Sequence, residues 1–331
     1  MRRVIAEQYA KLPLPANSTA CSGKTYIVTG SNNGLGLETA RHLVRCSASR
    51  VILAVRNTNA GEAAKMDIER TTGHKGVTEA WHLDLSSFDS VKSFASRVEK
   101  ELERVDGVIE NAGVLLDTWT LAEGMETCMT VNVISTVLLG VLLMPKLMES
   151  AEKFDNKPRL VFLVSALGFT SQAQKELAKG GKTSIFKGLN NPKEQSMDQR
   201  YSLTKLVEMY AVRAFADAYP FKRTGVVINM VAPGICSTGL AKDARLFVRA
   251  MQGMIRMFLA RTAEEGSRTI LHAVVEDESS HGKHLSGCKV KEFWIASWMT
   301  DAEGKRTQKQ IWRELVAVME GVQPGCNLDA I

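Results

Sequence analysis

Along the first two thirds of the chain, short runs of apolar and β-branched residues alternate with longer stretches whose apolar positions recur every three or four residues. That rhythm predicts a parallel sheet covered by helices on both faces. The strand candidates are Thr25–Val28, Arg50–Val55, Thr78–Leu83, Gly107–Glu110, Leu160–Val164 and Val226–Val231, most of them too uniformly apolar to have a wet face. Leu35–Cys46, apolar at 35, 37, 40, 43 and 44, reads as a helix. So does Ser87–Arg104, with Ser86 followed by Asp89 as its N-cap. Two regions break the rhythm. Phe169–Arg200 is a polar insertion, containing Lys and Gly, without clear periodicity, and Ile235–Arg261 follows a Pro-Gly turn and carries an amphipathic helix bearing Met and Phe. Thr262 is expected to cap a further helix, and Lys305–Met319 to be helical. No repeat or linker divides the chain. The expected organisation is one α/β domain with a doubly wound parallel sheet over 23–300, an N-terminal extension, 1–22, and a C-terminal helical tail, 301–331.

Composition narrows the class. The 331 residues, 45% hydrophobic and 24% charged, can bury a substantial core, which excludes a disordered or collagen-like chain. Lys plus Arg number 42 against 36 Asp plus Glu, and this +6 excess is spread along the chain rather than gathered into a basic block, which argues against nucleic acid as a partner. The six cysteines, at 21, 46, 128, 236, 288 and 326, show no paired spacing and form no metal-ligand pattern, and they read as free thiols of a reducing, cytoplasmic compartment. Charged and proline residues interrupt the N-terminus before a secretory signal can form. The apolar run Val131–Met144 stops at Pro145, short of the roughly 20 residues of a membrane span, and reads as a buried helix.

The chemistry begins after the first strand, in Thr29-Gly30-Ser31-Asn32-Asn33-Gly34-Leu35-Gly36. Glycines admit positive φ and close approach of a ligand, and the following helix offers unpaired N–H groups and the positive end of its dipole to a pyrophosphate. The spacing Gly-x-x-x-Gly-x-Gly resembles the short-chain dehydrogenase/reductase family, whose fold is Rossmann-type. An NAD enzyme usually carries an acid after the second strand to hold the ribose hydroxyls. Here Arg56 stands there, and a guanidinium suits a 2′-phosphate, so the resemblance implies NADP(H). It further assigns Asp84 and Leu85 to the adenine and Asn111-Ala112-Gly113 to the family's Asn-Ala-Gly motif, although Glu110 stands before it where Asn is common. Pro233, Gly234, Ile235 and Thr238 match the segment that lies over the nicotinamide, with backbone groups around Ile235 fixing its carboxamide.

Tyr201 and Lys205 lie four apart, on one face of a helix. A phenol with a reference pKa of about 10 is a poor acid near neutrality, and a nearby ammonium favours its ionised form. The resemblance completes a catalytic tetrad with Ser165, which orients the substrate oxygen, and Asn132, which supports a water-mediated proton path to the lysine, and it counts Tyr201 and Lys205 among the cofactor-binding residues as well. The end of the chain looks closer to the retinol-dehydrogenase-like branch and to fungal biosynthetic reductases. Phe247, Met251, Met254, Met257 and Phe258 suggest an apolar substrate lid. The resulting expectation is NADPH-dependent reduction of a hydrophobic ketone or aldehyde, polyketide, terpenoid or retinoid-like, in secondary metabolism. Hydride comes from the nicotinamide, the proton comes from Tyr201, and no metal is needed. The helices Val131–Met148 and that of Tyr201 are the faces through which relatives pair, so a homodimer is expected. The alternatives are an NADP-dependent alcohol dehydrogenase working oxidatively, a cofactor-binding sensor without turnover, and an enzyme held at a membrane surface by the lid.

Overall fold

A computed structural model describes residues 8–14, 17–181, 184–237 and 260–326. All six strand candidates form, displaced by at most one residue at either end. They are β1 (Thr25–Thr29), β2 (Arg50–Val55), β3 (Thr78–His82), β4 (Gly107–Glu110), β7 (Arg159–Leu163) and β8 (Val227–Ala232). A small hairpin of β5 (Leu121–Ala122) and β6 (Met125–Glu126) stands apart, and β9 (His284–Ser286) and β10 (Lys289–Val290) extend the main sheet. Its order is β3-β2-β1-β4-β7-β8-β9-β10, parallel throughout except for the last pair. The chain therefore starts at the centre, winds outward to β3, and returns to β4 on the other side of β1. The crevice outside the carboxyl ends of β1 and β4 is the switch point at which open α/β sheets bind ligands.

Alternate strand residues point to opposite faces and meet different helices. Val28, Leu53 and Ile109 pack with α1 (Gly34–Arg45), α2 (Thr58–Thr72) and α8 (Ala263–Val275). Ile27, Ile52, Val108 and Phe162 pack with α3 (Phe88–Glu101), α4 (Thr136–Lys153), α7 (Arg200–Ala218) and α9 (Ala302–Val322). The apolar run at Val131 opens with a wide π-helical turn, Thr130–Ser135, and continues into α4. By length and composition Thr127–Lys153 could cross a membrane, but 89% of its most apolar window is buried inside the molecule, as expected for a core helix.

One local expectation needs correction. The α3 cap is Ser87, whose hydroxyl accepts from Ser90 N, while Ser86 instead donates to Asp84 Oδ1 at 2.7 Å. The insertion, which shows no clear periodicity in sequence, holds α5 (Ser171–Ala178) and α6 (Ile185–Leu189). These helices are short and draw their order from elsewhere. The Glu314 carboxylate of α9 accepts from Ile185 N and Phe186 N at 3.0 Å each and from Ser184 Oγ at 3.1 Å, capping α6 from more than a hundred residues away. Meanwhile α9 lies on α7, with Trp312 stacked on Phe215 at 5.6 Å between ring centres. Part of the α7 face expected to pair with a second chain is thus taken by the chain's own tail. Thr262 caps α8 as expected, its side chain accepting from Glu265 N.

Candidate active site

The turn after β1 is built to expose backbone donors. Gly30 and Gly34 have φ of +63° and +58°, which side-chain-bearing residues rarely adopt. A Cβ at Gly36 would stand 2.5 Å from Asn111 Nδ2 and 2.7 Å from Gly30 O. Asn111 is pressed against the turn because its Nδ2 donates to Thr29 O at 2.7 Å, while Thr29 Oγ1 accepts from Asn111 N and Ala112 N at 3.0 and 2.9 Å. Asn33 begins α1 in an extended conformation with no side-chain cap, so the first N–H groups of the helix are not satisfied by it. A close-packed cradle ending in an uncapped helix start fits a pyrophosphate. Ser31 serves the turn itself, donating to Val28 O at 2.8 Å, and Asn32 is half-buried beside it.

Arg56 is exposed at the end of β2 and has no hydrogen-bond or ion-pair partner among the described residues. Asp84 and buried Leu85 follow β3, where Asp84 Oδ1 closes a turn by accepting from Ser86 N at 2.9 Å. Gly113 leads to the catalytic side: a Cβ there would lie 3.2 Å from Asn132 Oδ1 and 3.9 Å from Lys205 Nζ.

The four expected catalytic side chains come from separate elements, and the fold brings them together. Ser165 follows β7, its hydroxyl accepts from Leu167 N at 3.3 Å, and it lies close enough to the Tyr201 phenol to favour the ionised form. Tyr201 and Lys205 lie on the first turns of α7, with Lys205 Nζ 5.9 Å from the Tyr201 ring centre. Asn132 lies in the π-helical turn, and both ends of its amide are engaged: Oδ1 accepts from Val114 N at 2.8 Å, and Nδ2 donates to Val114 O at 2.9 Å and Thr204 Oγ1 at 3.1 Å. Burial pushes the Tyr201 phenol above its ordinary value, and the Lys205 ammonium and the Ser165 hydroxyl only partly oppose this. The expected net lowering by Lys205 is therefore reversed, because desolvation of the phenolate outweighs an ammonium already paired with Glu208 at 2.8 Å.

Several contributors carried no recognisable motif. Arg200, fully buried, donates to Glu126 Oε2 at 2.5 Å and to Leu189 O at 2.9 Å, fastening the start of the Tyr201 helix to the segment that leads into Asn132. Thr204 was visible within the Tyr-x-x-x-Lys run, but its bond to Asn132 was not. Gln8, in the N-terminal extension, makes paired contacts with Ile235: its Nε2 donates to Ile235 O at 2.6 Å, and its Oε1 accepts from Ile235 N at 3.0 Å. Both backbone groups assigned by resemblance to a nicotinamide carboxamide are thus held by another primary amide. Thr238 and the lid residues Phe247, Met251, Met254, Met257 and Phe258 lie outside the described residues.

A switch-point crevice with a phosphate cradle on one side and a Ser, Tyr, Lys and Asn cluster on the other defines an oxidoreductase working with a nicotinamide dinucleotide. A family model described as short chain dehydrogenase matches residues 24–191. The chain is 42% identical over 324 residues to short chain dehydrogenase/reductase dmxR8 of Cryptosporiopsis sp. (strain 8999), covering 97% of each. It is 40% identical over 291 residues to short chain dehydrogenase atnD of Emericella nidulans, covering 86% of this chain and 90% of that one. The protein belongs to the short chain dehydrogenase family. Among solved structures, a short chain dehydrogenase from Shigella flexneri complexed with NADP superposes with TM-score 0.60 at 22% identity, covering 82% of this chain and all of that one. An uncharacterised protein from Mycobacterium paratuberculosis reaches TM-score 0.65 at 23% identity, covering 95% and 97%. These two likenesses speak to the fold.

Proposed function

We propose that the protein is an NADPH-dependent reductase of a hydrophobic ketone or aldehyde, of polyketide, terpenoid or retinoid-like kind, in secondary metabolite biosynthesis. The observation that carries this reading is the Tyr201 phenol, near the Ser165 hydroxyl and with the buried Lys205 ammonium 5.9 Å from its ring centre, at the same sheet edge as the glycine cradle. Arg56, exposed and unpartnered among the described residues, suits a 2′-phosphate and supports NADP(H) over NAD(H). The NADP bound by the Shigella flexneri relative agrees with that choice.

When bound, the reduced nicotinamide supplies hydride to the carbonyl carbon. Ser165 donates a hydrogen bond to the carbonyl oxygen and stabilises its developing charge. Tyr201 delivers the proton to that oxygen, and a phenol held above its ordinary pKa carries this proton throughout the neutral range. Lys205, 5.9 Å from the Tyr201 ring centre, favours the phenolate that this transfer leaves. Asn132 shapes the site by holding Val114 and, through Thr204, the first turn of α7. At Ile235 the carboxamide would exchange with Gln8, which presents the same donor and acceptor.

The test is NADPH oxidation across a panel of apolar ketones and aldehydes, with Tyr201→Phe as control. Turnover of none of them, or full turnover by Tyr201→Phe, would sink the reading. We place the activity in the cytoplasm, on the support of six free cysteines, and liposome flotation would reveal attachment to a membrane surface. A homodimer through the pairing helices has only the surface that α9 leaves open on α7 and α4, and light scattering separates monomer from dimer.

A further inference from the structure

The Lys205 ammonium has three N–H donors, and the fold takes two of them. One goes to Leu163 O, at the end of β7, at 2.6 Å, and one to Glu208 Oε2, a turn further along α7, at 2.8 Å. Lys205 is 4% exposed and Glu208 1%, so the pair is withdrawn from water. A buried ion pair gains little stability over well-packed apolar residues, because desolvation of both charges offsets their attraction. Its place under the proposed proton donor therefore calls for a chemical role.

A second carboxyl lies in the same field. Glu110, closing β4, is 1% exposed, and its Oε1 has no hydrogen-bond partner among the described residues. Its Oε2 receives only a long bond from Thr29 Oγ1, at 3.4 Å. Burial holds Glu110 well above the usual carboxylate range, against the Thr29 hydrogen bond and with the Glu208 charge adding to it, which favours its neutral form. The carboxylate in contact with Lys205 is that of Glu208. Glu110, which departs from the family's usual Asn, thus feels the charge of the pair.

We infer that Glu208 is a positioning residue for the proton transfer, engaging the Lys205 ammonium and offsetting its charge so that Tyr201 is kept in its proton-donating form. The inference rests on the reading of Tyr201 as proton donor. The groups that bear on the phenol are Lys205 and Glu208 from α7 and Ser165 from the end of β7, and Glu110 on β4 lies in the field of Glu208. The Lys205 ammonium and Ser165 favour the phenolate, while the Glu208 carboxylate opposes it. Glu208 is itself pushed up to about 7 by burial against the pull of Lys205, so it is ionised across the alkaline range in which a phenol titrates.

Glu208→Gln keeps the size of the side chain and an acceptor for Lys205 but removes the charge. The ultraviolet absorbance of tyrosinate, followed with pH in protein without cofactor, isolates Tyr201 when the same curve from Tyr201→Phe in each background is subtracted. The proton affinity of Tyr201 is expected to fall about tenfold or more in Glu208→Gln, the scale on which an unopposed neighbouring charge acts. Glu208→Asp, with its carboxylate withdrawn by one methylene, should show a smaller fall, and it stands in if the Gln variant does not fold. Tyrosinate forming at the wild-type pH in either variant overturns the inference, since a merely structural ion pair would change stability and leave that curve in place. With NADPH and a carbonyl substrate, the alkaline fall in reduction rate should move to lower pH with the tyrosinate. A moved tyrosinate in a protein that reduces no carbonyl upholds this inference and removes the proposed function. Carbonyl reduction with an unmoved tyrosinate does the reverse.

Discussion

The two sides of the crevice treat their polar groups in opposite ways. On the β1–α1 side the donors are left open: α1 begins without a side-chain cap, and Arg56 reaches out from β2 without a partner among the described residues. On the β7–α7 side the polar groups are already engaged. Lys205 is held by Leu163 and Glu208, Asn132 by Val114 and Thr204, and Ile235 by Gln8. The difference follows from the tasks. A phosphate is held by donors kept free for it, and a cradle of backbone N–H groups needs no change of state. Acid–base chemistry needs each group in one geometry and one protonation state, and internal partners supply both.

Breaking the engaged side should cost the most. Tyr201→Phe removes the proton donor without touching the cradle, so the rate of carbonyl reduction should fall by about 10²–10⁴ while NADPH affinity, by fluorescence titration, stays near wild type. A parallel loss of affinity would mean that the two sides are not separable. Gly36→Ala breaks the open side. Its Cβ would sit 2.5 Å from Asn111 Nδ2 and 2.7 Å from Gly30 O, and relief of that overlap costs about 1–3 kcal/mol. Cofactor affinity should drop by roughly tenfold to a hundredfold, and wild-type affinity would show that the turn yields without disturbing the cradle.

Arg56→Ala sharpens the assignment of that open side. Loss of a charge-assisted hydrogen bond, about 1.5–3 kcal/mol, should raise the NADPH dissociation constant roughly tenfold or more and leave that for NADH unchanged. Equal effects on the two would refute a 2′-phosphate contact. The smallest effect should come from Gln8→Ala. If Gln8 and the nicotinamide carboxamide exchange at Ile235, its removal tightens NADPH by about two- to tenfold, the worth of one or two neutral hydrogen bonds. A 2′-phosphorylated adenine nucleotide lacking nicotinamide should bind as before. Equal tightening of both ligands would place the effect of Gln8 elsewhere.

Legibility followed the same divide. The strands, the glycine turn and the Tyr201–Lys205 pair were readable because each is a local pattern: short, uniformly apolar β-branched runs, a glycine-rich spacing after a strand, and a four-residue helical spacing. Glu208 could have been found, since a Glu three residues beyond a Lys on a helix is a neighbour by geometry. Its burial, which gives it consequence, could not. The insertion was unreadable for a different reason. Its helices α5 and α6 are too short for a periodic signal, and α6 takes its cap from Glu314 in the tail. Ser87 displaced Ser86 at the start of α3 because two adjacent serines offer equivalent caps to sequence rules, and Ser86 is drawn into the Asp84 turn.

By itself the sequence determined the alternating architecture, the family, and the identity of the proposed catalytic side chains, because those depend on interactions between residues close along the chain. Only the tertiary structure decided what each group is paired with. Contacts such as Gln8 with Ile235, Arg200 with Glu126, and Glu110 in the field of Glu208 join segments with no pattern in common. The protonation state of Tyr201 belongs to this second group. The four-residue spacing to Lys205 predicted a phenol made more acidic, and burial, acting on the phenolate far more strongly than on the neutral phenol, sets the opposite direction.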